Sequence, residues 1–189
     1  MAARVVTVAF QGVEARRVDV EAQFTGGEGG ARQMADAVAA MSELRSPIAL
    51  AEVSLDDYDA VFYPGGHGPM EDLAVDADSG RLLTAALASG KPLAVVCHGP
   101  AALLAAKGAD GTSSFAGYRI AAFTNEEEVQ GGLADKAKWL LEDRLRADGV
   151  MVDKAAPWTP HVVVDRNLIT GQNPMSSAPL ADELLKALG

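Results

Sequence analysis

The sequence predicts a doubly wound α/β fold with a mainly parallel sheet, and three observations lead to that expectation. Short runs that are apolar on both faces, DAVFYP, KPLAVVC and YRIAAFT, alternate with segments of helical periodicity. Glycines punctuate the first two runs at their carboxyl ends, in PGG and in CHGP. Each helical segment carries a single apolar stripe, as Leu82, Leu83, Ala86 and Leu87 do within residues 78–88. Strands buried on both faces need cover on both sides, so the sheet is expected to be sandwiched by helices.

Taken in order, VVTVAF reads as a first strand and RVDVEAQ as a second β-branched run. The low-complexity stretch TGGEGG, residues 25–30, reads as a loop, and ARQMADAVAAMSEL follows as a helix with Met34, Val38 and Met41 on one face. DAVFYPGG is a buried strand ending in a glycine turn, residues 78–88 form a helix that Gly90 closes, and KPLAVVC is the next strand. A short helix, GPAALLAAKG, leads to the strand YRIAAFT. The spacing of Leu133, Ala137, Leu140, Leu141 and Leu145 then predicts a long helix through LADKAKWLLEDRLRADG, ending at Gly149. HVVVD and NLITG pair across a turn at Arg166 and Asn167. The last helix carries Leu180, Leu184, Leu185 and Leu188, with Ser176 or Ser177 as its cap. No internal repeat interrupts this order, and residues 1–189 are expected to form a single domain, the usual arrangement for a chain of ~100–200 residues.

Composition narrows the function classes. The net charge of -10 argues against a nucleic-acid partner, which requires clustered Lys and Arg to displace phosphate counterions. No apolar run approaches the ~20 residues that span a bilayer, so no membrane partner is expected. The start, MAARVVTVAFQG, reads as a strand rather than a signal peptide, which places the expected location in the cytoplasm. A single cysteine excludes an internal disulfide, and the three histidines lack recognisable metal-ligand spacing, so no metal is expected.

In doubly wound folds ligands bind beyond the carboxyl ends of the strands, which should bring YPGGHG and VVCHGP to one rim. There Cys97 ends an apolar strand just before Gly99 and Pro100 open a helix, a pattern similar to a nucleophile elbow. A helix terminus is worth up to ~2 kcal/mol, enough to lower a thiol pKa by about one unit, and the thiol is expected to ionise near neutrality. Gly65 and Gly66 permit close backbone approach and can present amides to a developing oxyanion. His67 has a weaker claim than Cys97, since a histidine in a glycine loop is as often simply solvated as it is functional. His98 follows Cys97 directly, so the two side chains are expected to diverge, leaving His98 to act through its backbone N–H. The acids of NEEE, Asn125 to Glu128, suit a helix start electrostatically, and any one of the glutamates can also serve as an orienting carboxylate.

The stretches DYDAVFYPGGHGPMEDL, GKPLAVVCHGPAALL, FTNEEE, LLEDRL, PWTPHVVVD and NLITGQNP resemble the ThiJ/PfpI superfamily, from about Ala31 to the end of the chain. That resemblance implies a flavodoxin-like, class I glutamine amidotransferase-like fold. It also implies a place in the heat-shock, glyoxalase III-like branch, whose members are described as converting methylglyoxal to lactate without cofactor, as protein deglycases, and as holding chaperones. Carried over by motif, Cys97 is the nucleophile and His98 its paired histidine. Glu128 is the acid, and the backbone of Gly66 and His98 forms the oxyanion pocket. A small carbonyl substrate and a homodimer are further implications.

Two departures from the family pattern stand out. The segment between VVTVAF and the next β-branched run is short, where the family places a helix whose glutamate contacts the cysteine; Glu14 is the nearest acid by position and is not assigned that role. Glu71 replaces the tryptophan usual after GHGPM. VVCHG and HVV stand where true glutaminases carry G-x-C-x-G and H-x-E, so glutaminase activity is not expected. The competing functions are a stress-related chaperone or redox sensor with little turnover, and a binding module without cysteine chemistry.

Overall fold

The computed structural model describes Val5–Thr7, Ala40 and residues 47–189. The expected strand RVDVEAQ, the loop TGGEGG, Glu14 and nearly all of the first expected helix lie outside the described residues.

A five-stranded sheet forms the centre. Its strands are β1 (Val5–Thr7), β2 (Ala60–Tyr63), β3 (Leu93–Val96), β6 (Val162–Asp165) and β7 (Leu168–Gly171), in the spatial order β1-β2-β3-β7-β6. The first four in that order run parallel, and β6 pairs antiparallel with β7 across a hairpin. All four residues of β3 and all four of β7 are buried, as continuous apolar runs in a covered parallel sheet require. The hairpin turn is where the sequence places it: Arg166 adopts φ 58°, and its guanidinium lies over the Tyr118 ring, 3.3 Å from the centroid.

Helix α1 (Gly68–Glu71) follows the glycine loop, and α2 (Ala77–Ser89) packs on β3. Asp76 caps α2 by accepting from the Ser79 N–H at 2.6 Å, and Gly90 ends it in the left-handed conformation at φ 73°. The segment after Cys97, Gly99–Ala105, is a 3-10 helix rather than an α-helix: Ala101 bonds back to His98 and Ala106 to Leu103. Helix α5 (Ser177–Leu188) lies on β7 and β3 through Leu180 and Leu184. The arrangement is the doubly wound α/β fold, built on a mainly parallel sheet with packed helices.

Other expected elements differ from the structure. YRIAAFT contributes only the two-residue strand β4 (Arg119–Ile120), which pairs with β5 (Met151–Val152) in a separate small sheet. Beyond Ile120 the donors turn elsewhere: the Ala121 N–H reaches Thr170 Oγ1 and the Phe123 N–H reaches the Cys97 carbonyl. The long helix expected over residues 133–149 is only α4 (Leu141–Ala147), because Leu140 is extended at ψ 133° and residues 133–140 form turns. Ser176 does occupy the N-cap position of α5, as expected, but makes no side-chain capping bond; its hydroxyl instead donates to Asn173 Oδ1, within a 3-10 turn over Pro174–Ser176.

Two glycine contacts set the distance between the loops after β2 and β3. A Cβ on Gly99 would stand 2.8 Å from the Pro64 carbonyl oxygen and 2.9 Å from that of Tyr63; both are backbone atoms that cannot swing aside. Gly99→Ala is therefore expected to destabilise the protein by about 1–3 kcal/mol, the usual cost of overpacking a tight site. Urea unfolding measures this, and an unchanged midpoint would contradict such close loop contact.

Candidate active site

The carboxyl ends of β2, β3 and β7 meet at one rim, since Tyr63 stands opposite Val95 and Val96 opposite Gly171. The sequence PGGHG leaves β2 there, CHGP leaves β3 and QNP leaves β7, so the first two segments converge as expected.

Cys97 sits at the end of β3 with φ 61°, in the left-handed region that a side chain seldom adopts and that costs of order 1–3 kcal/mol. Two bonds enforce the conformation: the Cys97 N–H donates to the Gly171 carbonyl at 2.8 Å, and its own carbonyl accepts from Phe123 N–H at 3.0 Å. Gly65 contributes chiefly by lacking a side chain, because a Cβ there would lie 2.7 Å from Cys97 Cβ and 3.3 Å from Sγ. The backbone N–H groups of Gly66, at φ 95°, and His98 reach the sulfur and favour its charged form.

The turn also decides where His98 points. The expectation that adjacent side chains diverge does not hold: with Cys97 left-handed, His98 Nδ1 lies 3.3 Å from Cys97 Sγ. On the opposite edge of the ring, Nε2 is 2.6 Å from Glu128 Oε2. His67, for which the sequence left solvated and functional readings open, is bonded as well, its Nε2 lying 2.7 Å from Glu128 Oε1. One carboxylate, only 3% exposed, thus serves two imidazoles whose ring centroids are 3.9 Å apart. Phe123 lies against His98 at 4.3 Å, and Trp158 meets Phe123 edge-on at 5.6 Å. Sequence reasoning assigned no place to His67, Phe123 or Trp158. For His67 the available signal was its position in a glycine loop at the same rim as Cys97.

The last two glutamates of NEEE, Glu127 and Glu128, divide their tasks. Helix α3 (Asn125–Gln130) opens with a capping box in which Thr124 Oγ1 accepts from the Glu127 N–H, and Glu127 Oε2 accepts from the Thr124 N–H at 3.0 Å and its hydroxyl at 2.8 Å. Glu127 Oε1 accepts from the Trp158 N–H, the Gln172 amide and the Asn173 amide, which locks α3 to the QNP loop. Glu127 is therefore an anchor, and its successor Glu128 faces the histidines. The structure brings Cys97, His98, Glu128, Gly65 and Gly66 together.

Charge states follow from these contacts. Burial opposes ionisation of Glu128, but the N–H donors of His98 and His67 outweigh it and hold the carboxyl below its ordinary range. An ionised carboxylate only accepts hydrogen bonds, so both imidazoles carry Nε2–H, and His98 Nδ1 keeps a lone pair toward the sulfur. Burial also lowers the His98 pKa, against the opposing pull of Glu128, and the ring is neutral at pH 7. Cys97 departs from the sequence-based expectation: burial pushes its thiol up to about 12, overcoming the Gly66 and His98 amides, while Glu127 and Glu128 add to the rise. The resting sulfur is thus a thiol donating to a neutral imidazole, because 7% exposure leaves a thiolate too little water.

His67, His98 and Glu128 also form a group of metal-capable side chains whose donor atoms lie within 4.8 Å of one another. In a tetrahedral zinc site with ~2.0 Å bonds, ligand atoms sit roughly 3.3 Å apart. The 2.6 and 2.7 Å contacts here are hydrogen-bond distances, and the donor-to-acceptor match is complete without an ion. Among the described residues no helix is long and apolar enough to cross a membrane.

Known proteins share this architecture. A 24 kDa rapid encystment protein of Francisella tularensis superposes with a TM-score of 0.76 at 30% identity, over 82% of this chain and 71% of that one. Glyoxalase III of Candida albicans superposes with a TM-score of 0.67 at 26% identity, over 73% of this chain and 60% of that one. In sequence, a protein/nucleic acid deglycase of Staphylococcus aureus is 32% identical over 161 residues; the match spans 77% of this chain and 55% of the relative's length.

The anchoring role of Glu127 can be tested through acid stability. Burial disfavours its charge, but the donors from Trp158, Thr124, Asn173 and Gln172 prevail and depress its pKa. A depressed carboxyl contributes stability that is complete above its unfolded value, ~4.3, and lost as pH falls through the folded value. Glu127→Gln is expected to lose about 2 kcal/mol or more at pH 7, since an amide N–H₂ then faces donors. The deficit should narrow below pH 4; urea unfolding at several pH values checks it, and a pH-independent deficit would contradict the role.

The family model of DJ-1/PfpI matches residues 3–187, and the chain belongs to the DJ-1/PfpI family.

Proposed function

We propose that the chain is a cofactor-independent enzyme in which Cys97 attacks small reactive carbonyls, with glyoxalase III-like conversion of methylglyoxal to lactate as the leading activity and deglycation as its close variant. The observation that carries this reading is the Cys97–His98–Glu128 relay, with a lone pair 3.3 Å from the sulfur and an oriented base behind it. The names of a glyoxalase III and a deglycase among its relatives support it.

The steps follow from the resting charge states. The thiol adds to the aldehyde as its proton passes to His98 Nδ1, so no free thiolate need accumulate. Glu128 stabilises the imidazolium that forms, and the oxygen of the adduct takes the proton back. The Gly66 and His98 amides supply donors for the developing oxyanion, with the glycine at position 65 admitting the close approach. After the proton shift between the two carbons, water releases the hydroxy acid and restores the thiol.

A second reading is a stress-related chaperone or redox-sensing protein with little turnover. Its chaperone half is favoured by the high thiol pKa and the low exposure of Cys97, which suit a sulfur that seldom reacts, whereas redox sensing calls for an exposed thiolate.

Purified protein is expected to form lactate from methylglyoxal, and Cys97→Ser to reduce that rate at least ~1,000-fold, as loss of a nucleophile does. Client protection that survives Cys97→Ser without any wild-type lactate would select the second reading. Alkylation by iodoacetamide should climb steadily from pH 7 to pH 10, because a thiol near 12 stays protonated throughout. A plateau reached at pH 7 would contradict the thiol ground state.

A further inference from the structure

The two imidazoles on Glu128 are equivalent in their bonding and opposite in their surroundings. Both donate Nε2–H to the same carboxylate, at 2.6 and 2.7 Å, so the neutral form of each ring is fixed in one tautomer with its Nδ1 lone pair on the far edge. For His98, 2% exposed, that lone pair meets Cys97 Sγ. For His67 the side chain is 45% exposed, and among the described residues its Nδ1 has no hydrogen-bond partner. The base is nevertheless held in place. Its ring lies against His98 at a tilt of 37°, its carbonyl accepts from the Met70 N–H at 3.0 Å, and Pro69 and Met70 of α1 are buried. A solvent-facing imidazole oriented by a buried carboxylate, one ring away from the nucleophile, has the arrangement of a general base.

We propose that His67 is a second catalytic base of this site, one that moves the carbon-bound proton of a carbonyl substrate attached to Cys97; the inference rests on the carbonyl-enzyme reading above. His98 is unsuited to that step, since its buried Nδ1 faces the sulfur at 3.3 Å and handles the thiol proton during addition. With a 2-oxoaldehyde, Cys97 Sγ bonds to carbon 1 and the aldehyde oxygen becomes a hydroxyl. His67 Nδ1 then takes the hydrogen of carbon 1 as a proton, and the electron pair forms the carbon 1–carbon 2 double bond of an enediolate. The same proton returns to carbon 2, and the hydroxyl proton on carbon 1 passes to the oxygen on carbon 2. Carbon 1 is thereby oxidised to an acyl thioester and carbon 2 reduced to an alcohol, with no external oxidant or reductant. Water cleaves the thioester to the 2-hydroxy acid and the thiol.

The test compares two reactions of the full chain. His67→Gln keeps an amide donor for Glu128 but has no titratable nitrogen, and His67→Ala opens space for added imidazole. Lactate formation from methylglyoxal is expected to fall in kcat by ~100-fold or more in both variants, the usual contribution of a general base. Chloroacetamide alkylation of Cys97 should change no more than about threefold, since addition at sulfur uses His98, and imidazole in solution should restore part of the turnover of His67→Ala. Full turnover in His67→Gln overturns the role, as does a parallel fall of turnover and alkylation, which would mean that His67 acts only through Glu128. No lactate from the wild-type protein would overturn the carbonyl reading and this role together, whereas normal lactate from the variants sinks the second base alone.

Discussion

The carboxylate of Glu128 is the constraint on which the site is built. A buried charge of this kind persists only if its oxygens are satisfied, and two imidazole N–H groups satisfy them. That requirement sets both histidine tautomers, and the tautomers in turn decide that lone pairs face the sulfur on one side and solvent on the other. The helix that carries Glu128 cannot drift, because the adjacent Glu127 binds the Thr124 cap, the Trp158 backbone and the QNP loop simultaneously. Successive residues on a helix point about 100° apart, which is how one short segment reaches two loops with neighbouring carboxylates.

The sulfur is under competing influences, and their balance separates this site from one with a preformed thiolate. Two backbone amides favour the anion, whereas burial and the nearby carboxylates oppose it, and burial is the larger effect. Reactivity then comes from transferring the thiol proton along a short internal path, not from a low pKa at rest. The left-handed backbone at Cys97 belongs to the same design, since it places Sγ beside the next residue's ring instead of on the opposite side of the chain. Such strain persists because β7 and the segment at Phe123 grip the cysteine backbone from two directions.

Much of the scaffold was legible in the residues. DAVFY, PLAVV, HVVVD and NLITG fold as the strands their apolar runs imply, and the Gly90 stop and the Arg166–Asn167 turn fall where the chain signals them. Residues 133–140 mislead, because their leucine and alanine spacing is helical while the chain there is held in turns, with Trp139 packed against the core. YRIAAFT is apolar enough for a longer strand, yet its amides are diverted to Thr170 and to Cys97 itself. Cys97, His98 and the glycines could be placed at one rim from strand order alone. The meeting of His98 with the sulfur could not, since it depends on a single positive φ, and the pairing of His67 with Glu128 joins residues 61 positions apart. The direction of the thiol shift was likewise hidden, for it rests on how completely the loops close over the sulfur.

The most direct measurement of the central claim is the nitrogen-15 NMR spectrum of the His98 ring at pH 7. A neutral ring with a protonated Nε2 and a bare, pyridine-like Nδ1 is the expected result, matching a resting thiol at Cys97. A doubly protonated imidazolium beside a thiolate would contradict the account.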